Sequence, residues 1–315
     1  LTKIDRVPAE RVVEVRDEIE LMLADTTLAD APIFPASAIT GDGIEALTAH
    51  ITALSEDTEA RSEQGYFRLG VDRMFTVAGA GLVVTGTAFS GRVTKEDRVW
   101  IAGFDTQARV RGIHANNADS EAGRAGDRLA INLAGIDRDD IARGDWLVAS
   151  PSLGLYRKLD VRLKVVADAR RPLRHWTPVH VHLGAKNVTG RVAVLGSETI
   201  EPGQSALAQL VLDEPLGACA RDRFVIRDQS AQTTLGGGRV IDLFPPRRGR
   251  ARADRLTMLD ALDTSDHKTA LAQALALSQT GIALDGFVAT RNLVTDELAD
   301  VLAANDAVVA GDSSN

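Results

Sequence analysis

Two neighbouring stretches, FRLGVDRMFT at residues 67–76 and GAGLVVTGT at residues 79–87, decide the fold class of this chain. Both predict short β-strands because each apolar run is brief and is bounded by turn-forming residues. The glycines of the second stretch do not form a dinucleotide-binding fingerprint, since the third glycine of that pattern would fall on Val84. They are better suited to bends and bulges of barrel strands.

Short strands continue on the carboxyl side of this region, separated by Gly, Asp and Asn. This punctuation predicts a closed antiparallel barrel up to about residue 151, followed by a second all-β stretch from about residue 159 to residue 243. The strands predicted for the first barrel are 67–71, 82–87, 98–101, 108–113, 129–133 and 146–148. Those predicted for the second are 159–166, 179–183, 192–195, 206–212 and 224–226.

The two ends of the chain show other patterns. Residues 1–55 predict an α/β arrangement, in which amphipathic helices at about 12–23 and 44–54 flank a short buried strand at Ile33-Phe34. Beyond residue 247 the chain is rich in Ala and Leu and predicts three short helices, at about 256–262, at 268–277 and, preceded by residues 286–288, a third through Leu293 to Leu302. Three short helices after a basic linker are typical of a helix-turn-helix or winged-helix module.

These patterns divide the chain into four predicted domains. They are a partial α/β domain at residues 1–62, barrels at 63–152 and 153–246, and the start of a winged-helix domain at 247–315. The composition, with 44% apolar and 25% charged residues, is that of a globular protein, and we expect a cytoplasmic location because no signal peptide or membrane span is evident. A single cysteine excludes an internal disulfide framework and a cysteine-based zinc site.

Positive charge is concentrated in two places, although the net charge is −8. Residues 157–191 hold nine Lys or Arg against two Asp, and residues 247–255 hold five Arg against one Asp. Local basic surface on an acidic protein suits a partner that carries phosphates, and a solvated face without a partner remains the alternative. His180 and His182 alternate on one predicted strand, but no third ligand is evident, so we predict no metal site.

Two motifs near the amino terminus predict guanine recognition. Residues 1–5 (LTKID) resemble the Asn-Lys-x-Asp motif of GTPases, with Thr2 in place of the asparagine. In this motif the Asp5 carboxylate would accept hydrogen bonds from both guanine N–H donors, and the Lys3 stem would pack along the base. Residues 37–44 (SAITGDGI) resemble the loop that closes over guanine, where Ser37 and the backbone of Ala38 would face the base.

The phosphate-binding elements of a GTPase do not occur in this sequence. It contains no G-x-x-x-x-G-K-[ST] loop, and no Asp-x-x-Gly switch precedes the guanine motif. We therefore expect the phosphate loop and the Mg²⁺ ligands to lie upstream of Leu1, so that the chain is a fragment lacking the N-terminal half of its GTPase domain. On this interpretation it contains no catalytic residue and does not hydrolyse GTP alone.

The barrels carry the strongest family resemblance. The pattern DRxFT…GxGxVVTGT of residues 72–87 is similar to the second domain of elongation factor Tu-like GTPases, in the form found in the selenocysteine-specific elongation factor. Residues 221–240, with RFVIRD and TLGGGRV, resemble the third domain of the same family. The helical region after residue 247 distinguishes the chain from factor Tu, which ends after its third domain.

This resemblance implies function, cofactor and partners. It implies GTP-dependent delivery of selenocysteinyl-tRNA to the ribosome at recoded UGA codons, with Mg²⁺ bound to the GTP. It also implies binding of an mRNA hairpin through winged helices further along the parent protein, a monomer and no membrane. Among the residues, Asp72, Arg73 and Arg128 match the family's aminoacyl pocket. The two arginines would clasp the selenolate and Asp72 would orient them, because a charged pocket separates selenocysteine from neutral serine.

Two other functions stay open at this point. The chain could belong to another Tu-like GTPase that carries an ordinary aminoacyl-tRNA or an initiator. It could also be an RNA-binding remnant that acts without GTP. The pair Asp72-Arg73 and the helical tail favour the selenocysteine-specific factor over another Tu-like GTPase, while the remnant stays open as a description of this chain even if its parent is the selenocysteine-specific factor.

Overall fold

The computed structural model describes residues 1–24, 26, 28–57, 63–77, 79 and 81–311. It divides into two compact units, Leu1–Ala60 and Arg61–Asn315, which are treated separately below. No helix among the described residues is long and apolar enough to cross a membrane.

The first unit contains two helices, α1 (Ala9–Leu23) and α2 (Ile44–Asp57). A parallel bridge joins Thr2 to Ala36, and Ala36 and Ser37 are the buried residues among those described in this unit. The predicted strand at Ile33-Phe34 is wrong, because these two residues belong to no strand and the isolated bridge nearby is made by Ala36. A strand needs a partner along its length, and here the paired segment extends over Leu1 to Ile4 alone.

The first barrel confirms the predicted closed antiparallel architecture. Six strands close the ring in the order β4-β9-β1-β2-β8-β5, with β5 pairing back to β4. Leu69, Val84, Val110 and Ile131 fill its interior, each without exposed surface. The strands are β1 (Arg68–Val77), β2 (Gly81–Ser90), β3 (Arg92–Thr94), β4 (Arg98–Ile101), β5 (Gln107–Ala115), β6 (Ala118–Ser120), β7 (Ala122–Arg124), β8 (Arg128–Ala134) and β9 (Trp146–Val148).

The second barrel is also closed, in the order β10-β15-β13-β12-β16-β17. Its last strand, β17, was not predicted, because the glycine run 236–238 lacks the side chains that mark a strand. The glycines are needed for close approach, since a Cβ on Gly238 would lie 1.8 Å from the carbonyl oxygen of Arg162 on β10. The strands are β10 (Leu155–Val165), β11 (Leu173–Arg174), β12 (Thr177–Leu183), β13 (Lys186–Val194), β14 (Thr199–Ile200), β15 (Ser205–Gly217), β16 (Arg223–Arg227) and β17 (Thr234–Asp242).

The helical segment contains four helices instead of the three predicted. They are α3 (Ala253–Leu262), α4 (His267–Leu277), α5 (Leu284–Arg291) and α6 (Thr295–Ala303). The prediction of one third helix, beginning after residues 286–288 and running through Leu293 to Leu302, is wrong, because Asn292 adopts the left-handed conformation (φ 57°) and ends α5. The turn that follows buries Leu293 in a small core with Phe287 and Val301.

Within the second unit, buried ion pairs tie the barrels and helices together. Arg68 on β1 donates two hydrogen bonds to Asp222 of the second barrel, at 3.2 and 2.5 Å. Arg255 on α3 bridges Asp160 and Asp242, with both N···O distances at 2.5 Å. Leu259, also on α3, is fully buried in an apolar cluster with Leu207 and Ile241 of the second barrel. The helix α3 is therefore packed directly on the second barrel.

Candidate guanine-binding and aminoacyl sites

The two guanine motifs meet in the structure. The hydroxyl of Ser37 donates a hydrogen bond of 2.5 Å to Asp5 Oδ1. The parallel bridge between Thr2 and Ala36 places both motifs at the carboxyl ends of adjacent parallel segments, where α/β folds commonly bind ligands. Among the described residues no donor reaches Asp5 Oδ2, and the Asp5 side chain is exposed. A carboxylate held from one side by a hydroxyl fits a base that offers two N–H donors.

The loop after Ser37 is built to hold that serine. Its hydroxyl oxygen accepts hydrogen bonds from the backbone N–H groups of Ile39 (3.2 Å) and Thr40 (3.3 Å). Gly43 allows the loop to turn into α2, because its φ is +71° and a Cβ there would lie 2.0 Å from the carbonyl oxygen of Pro35. Ala38 is exposed at the loop surface, next to the contact between Ser37 and Asp5. Lys3 is also exposed, in a left-handed conformation with φ 63°.

The predicted aminoacyl residues lie on the outer face of the first barrel. Arg128, the first residue of β8, forms a two-point ion pair with Asp72, in which Nη2 donates to Oδ1 at 2.9 Å and Nη1 donates to Oδ2. Thr85 on β2 donates a third hydrogen bond to Asp72 Oδ1, at 2.9 Å. The hydrogen bond from Arg128 is the main cause that lowers the pKa of Asp72; burial opposes this shift, and the hydrogen bond from Thr85 adds to it.

A bulge in β1 gives Asp72 this position. The register between β1 and β2 shifts between Val71 and Arg73, so Asp72 is the extra residue and its side chain turns toward β2 and β8. Arg73 is exposed, close enough for its charge to act on Asp72, and it makes no ion pair with any described residue. The structure thus brings Asp72 and Arg128 into contact and leaves the Arg73 guanidinium available. Sequence reasoning missed Thr85, which the alternation of buried and outward residues along β2 could have identified.

The two basic stretches differ in how much of their charge is available. In residues 247–255, Arg255 is paired with two carboxylates, and Arg250 donates a hydrogen bond to Gln209 Oε1 at 3.3 Å. In residues 157–191, Arg162 pairs with Asp260 and Asp263 on the helical side. Within the described part of the chain, five cationic side chains of residues 157–191 form no ion pair or hydrogen bond: Lys158, Lys164, Arg170, Arg171 and Arg174. These five can meet a phosphate backbone without breaking an existing contact.

The two barrels are of the elongation factor Tu-like kind, as two family models show. Residues 81–148 match the family model described as elongation factor Tu domain 2. Residues 160–247 match the model described as the β-barrel domain of the selenocysteine-specific elongation factor. More narrowly, the chain is a homologue of the selenocysteine-specific elongation factors, as its relatives show.

Three curated relatives carry that name. The protein from Escherichia coli (strain K12) is 39% identical over 312 residues, covering 99% of this chain and 48% of the relative. The proteins from Haemophilus influenzae and Desulfomicrobium baculatum are 33% and 32% identical, over 98% and 94% of this chain. The chain thus spans about half the length of these relatives, 48%, 48% and 46% respectively.

Solved structures agree with this relationship. A bacterial selenocysteine-specific elongation factor superposes with a TM-score of 0.72 at 25% identity, over 93% of this chain and 47% of the other. The apo form of elongation factor SelB from Methanococcus maripaludis superposes with a TM-score of 0.67 at 24% identity, over 78% of this chain and 58% of the other. The second likeness supports the fold alone.

Proposed function

We propose that this chain is the tRNA-carrying part of a translation factor that delivers selenocysteinyl-tRNA to the ribosome in a GTP-dependent manner. Selenocysteine would be inserted at recoded UGA codons. The observation that carries the proposal is the set formed by Asp72, Arg128 and the neighbouring unpaired Arg73 on the outer face of the first barrel. The homology supplies the class of cargo, and the geometry supplies a way to recognise it.

The recognition would depend on charge. A selenol is more acidic than a thiol, whose reference pKa is about 8.5, so selenocysteine is largely anionic at neutral pH while serine is neutral. Asp72 and Arg128 cancel each other, and Arg73 therefore gives the set its net positive charge. The ion pair with Asp72 uses two of the five N–H groups of Arg128 and fixes its guanidinium, so that the other N–H groups can point outward. A shape difference of one atom would supply only roughly 1–3 kcal/mol of selectivity.

Binding selectivity tests this assignment. In the factor that contains this chain, Arg73→Ala and Arg128→Ala should each lower the preference for selenocysteinyl-tRNA over seryl-tRNA by about tenfold or more, because a hydrogen bond to a charged group is worth roughly 1.5–3 kcal/mol. Arg111→Ala, which removes an exposed arginine elsewhere on the same barrel, is the matched control. An unchanged preference in both pocket variants would rule the pocket out.

Asp5 and Ser37, with Thr2, Lys3 and Ala38, are proposed to hold the guanine of GTP. The Asp5 carboxylate would accept both base N–H donors while Ser37 keeps it in place. Magnesium would be held by residues outside this sequence, and we expect no GTP hydrolysis by the 315 residues alone. Asp5→Asn should weaken binding of GDP in a fluorescence titration of the intact factor, because the amide replaces one acceptor by a donor. Equal affinity of wild type and variant would refute the role of Asp5.

The remaining partners follow from the same proposal. The five unpaired cations of the second barrel would contact phosphate and ribose of the tRNA, which positions the RNA without reading its sequence. The helical segment would begin a winged-helix region that binds an mRNA hairpin. We further propose a monomer that acts in the cytoplasm.

A further inference from the structure

A cavity of about 670 Å³ lies where the first barrel, the second barrel and the helical segment meet. It is separate from the outer-face set around Asp72, whose residues do not line it. Its walls carry four arginines: Arg68, Arg221, Arg223 and Arg291. Two carboxylates, Asp222 and Glu297, also line it.

Both carboxylates are already engaged. Asp222 pairs with Arg68, so these two charges cancel. Glu297 accepts hydrogen bonds from the backbone N–H groups of Gly65 (2.9 Å) and Val294 (3.1 Å), one on each oxygen. The three other arginines therefore leave the wall with net positive charge.

Arg291 is the least expected of these cations. It is only 7% exposed, yet it forms no ion pair with any carboxylate in the described part of the chain. Its guanidinium donates to the carbonyl oxygens of Leu262 (2.6 Å) and Thr264 (3.2 Å) and to Nδ1 of His267 (3.2 Å). Burial, with Arg221 nearby, lowers the pKa of Arg291 to about 10. By contrast, the buried Arg68 and the half-buried Arg255 both have carboxylate partners.

The adjacent residue leaves a buried acceptor without a donor. The Asn292 amide nitrogen donates to the carbonyl oxygen of Tyr66 and to the hydroxyl of Ser90, both at 3.0 Å, which fixes the orientation of the side chain. Its Oδ1 is buried and accepts no hydrogen bond from a described residue, and the residue is only 6% exposed. A buried acceptor in this state costs about 1–3 kcal/mol unless a donor reaches it.

We propose that this cavity binds a ribose phosphate, either a free ribonucleotide or a unit of an RNA strand. Arg221 and Arg223, which form no ion pair with a described residue, meet the phosphate with their guanidinium forks. Arg291, whose terminal nitrogens already donate to Leu262, Thr264 and His267, adds positive charge to the wall. Asn292 Oδ1 accepts from a ribose hydroxyl. The proposal is independent of the function proposed above, because neither the aminoacyl residues nor the guanine motifs take part in it.

Calorimetric titration of the whole chain tests the proposal. The probes are uridine monophosphate, which does not present a guanine, then inorganic phosphate, and finally oligouridylate with its deoxy counterpart. Arg221→Ala and Arg223→Ala change exposed side chains and should leave folding intact. Each should weaken uridylate binding by about tenfold, as expected for loss of a charged hydrogen bond, while Arg111→Ala should leave it unchanged.

The probes also identify the source of the phosphate. Binding of oligouridylate that exceeds binding of uridine monophosphate, and that falls in the two arginine variants, would indicate an RNA strand. Similar affinity for both would indicate a free nucleotide. The proposal is overturned if no ribose phosphate binds saturably, if both arginine variants bind like Arg111→Ala, or if inorganic phosphate or the deoxy strand binds as tightly as its ribose counterpart.

Discussion

Replacing Arg68 by methionine should destabilise the second unit more than any loss of exposed charge. The Arg68 and Asp222 side chains are 6% and 8% exposed, and two hydrogen bonds join them. The Arg68 guanidinium also lies 4.4 Å from the ring centroid of Trp146. In the variant, Asp222 would stay buried with the Cys219 backbone N–H (2.8 Å) as its remaining donor.

The expected magnitude follows from this geometry. Removing one partner of a buried ion pair costs about 3–5 kcal/mol, because the other charge is left without compensation. The loss of the contact with Trp146 adds about 1 kcal/mol, while methionine retains part of the apolar packing. In a unit of this size each kcal/mol lowers the melting temperature by roughly 2–4 °C, so a total of about 4–6 kcal/mol corresponds to roughly 8–24 °C.

Urea and thermal unfolding followed by circular dichroism measure the effect. Asp222→Asn keeps an acceptor for the Cys219 N–H, and the double variant Arg68→Met/Asp222→Asn removes both charges. The double variant should be more stable than the sum of the single changes predicts, by about 2 kcal/mol or more. Arg109→Met breaks a pair whose side chains are 52% and 68% exposed, and should cost less than about 1 kcal/mol. Additive single changes, or equal costs for Arg68→Met and Arg109→Met, would refute the reasoning.

Three further predictions concern single positions. Gly238→Ala should destabilise the second barrel by about 2 kcal/mol or more in urea unfolding, because the new Cβ would overlap a backbone oxygen. The control is Gly112→Ala, where the nearest atom to a new Cβ is 3.9 Å away, and it should cost less than about 1 kcal/mol. Burial raises the pKa of the Cys219 thiol to about 12, above the reference value of about 8.5. The free energy of unfolding should therefore not depend on this thiol below pH of about 8.5 and should fall as the pH rises above it. Cys219→Ala should reduce that dependence when unfolding is measured as a function of pH. The lowered pKa of Asp72 adds to the free energy of unfolding above the ordinary pKa of about 3.9, and this contribution is lost as the pH falls through the folded-state pKa. In the same assay, Asp72→Asn should make stability depend less on pH in this acidic range.

Much of the fold could be predicted because the strands follow simple patterns. The segments 98–101 and 146–148 were predicted to the residue, since apolar runs between turn residues mark them clearly. The strand β17 was missed because its glycines are required by close packing against the backbone of β10, and this contact is not visible in the local sequence. The break at Asn292 was missed for a similar reason, because a left-handed residue is set by the packing of Leu293 and not by local helix propensity.

The candidate sites show the same division between local and distant information. The contact between Asp5 and Ser37 was anticipated by two motifs, although they are 32 residues apart. The assignment of residues 247–255 as basic surface was partly wrong, because the half-buried Arg255 is paired with two carboxylates. Charge counts along a sequence cannot reveal that Asp160, far away in the chain, needs a cation. The aminoacyl role of Asp72, Arg73 and Arg128 stays a prediction.

The burial of Leu259 against the second barrel has a consequence for how such proteins could be shortened or recombined. A chain cut at residue 246 would retain every strand of the barrel but would expose Leu207 and Ile241 to water and leave Asp160 without Arg255. Such a piece should aggregate or require detergent, whatever the sequence boundary suggests. Exchange of helical tails between related proteins would then succeed only where the crossover lies after α3, so that this helix is inherited with the barrel beneath it.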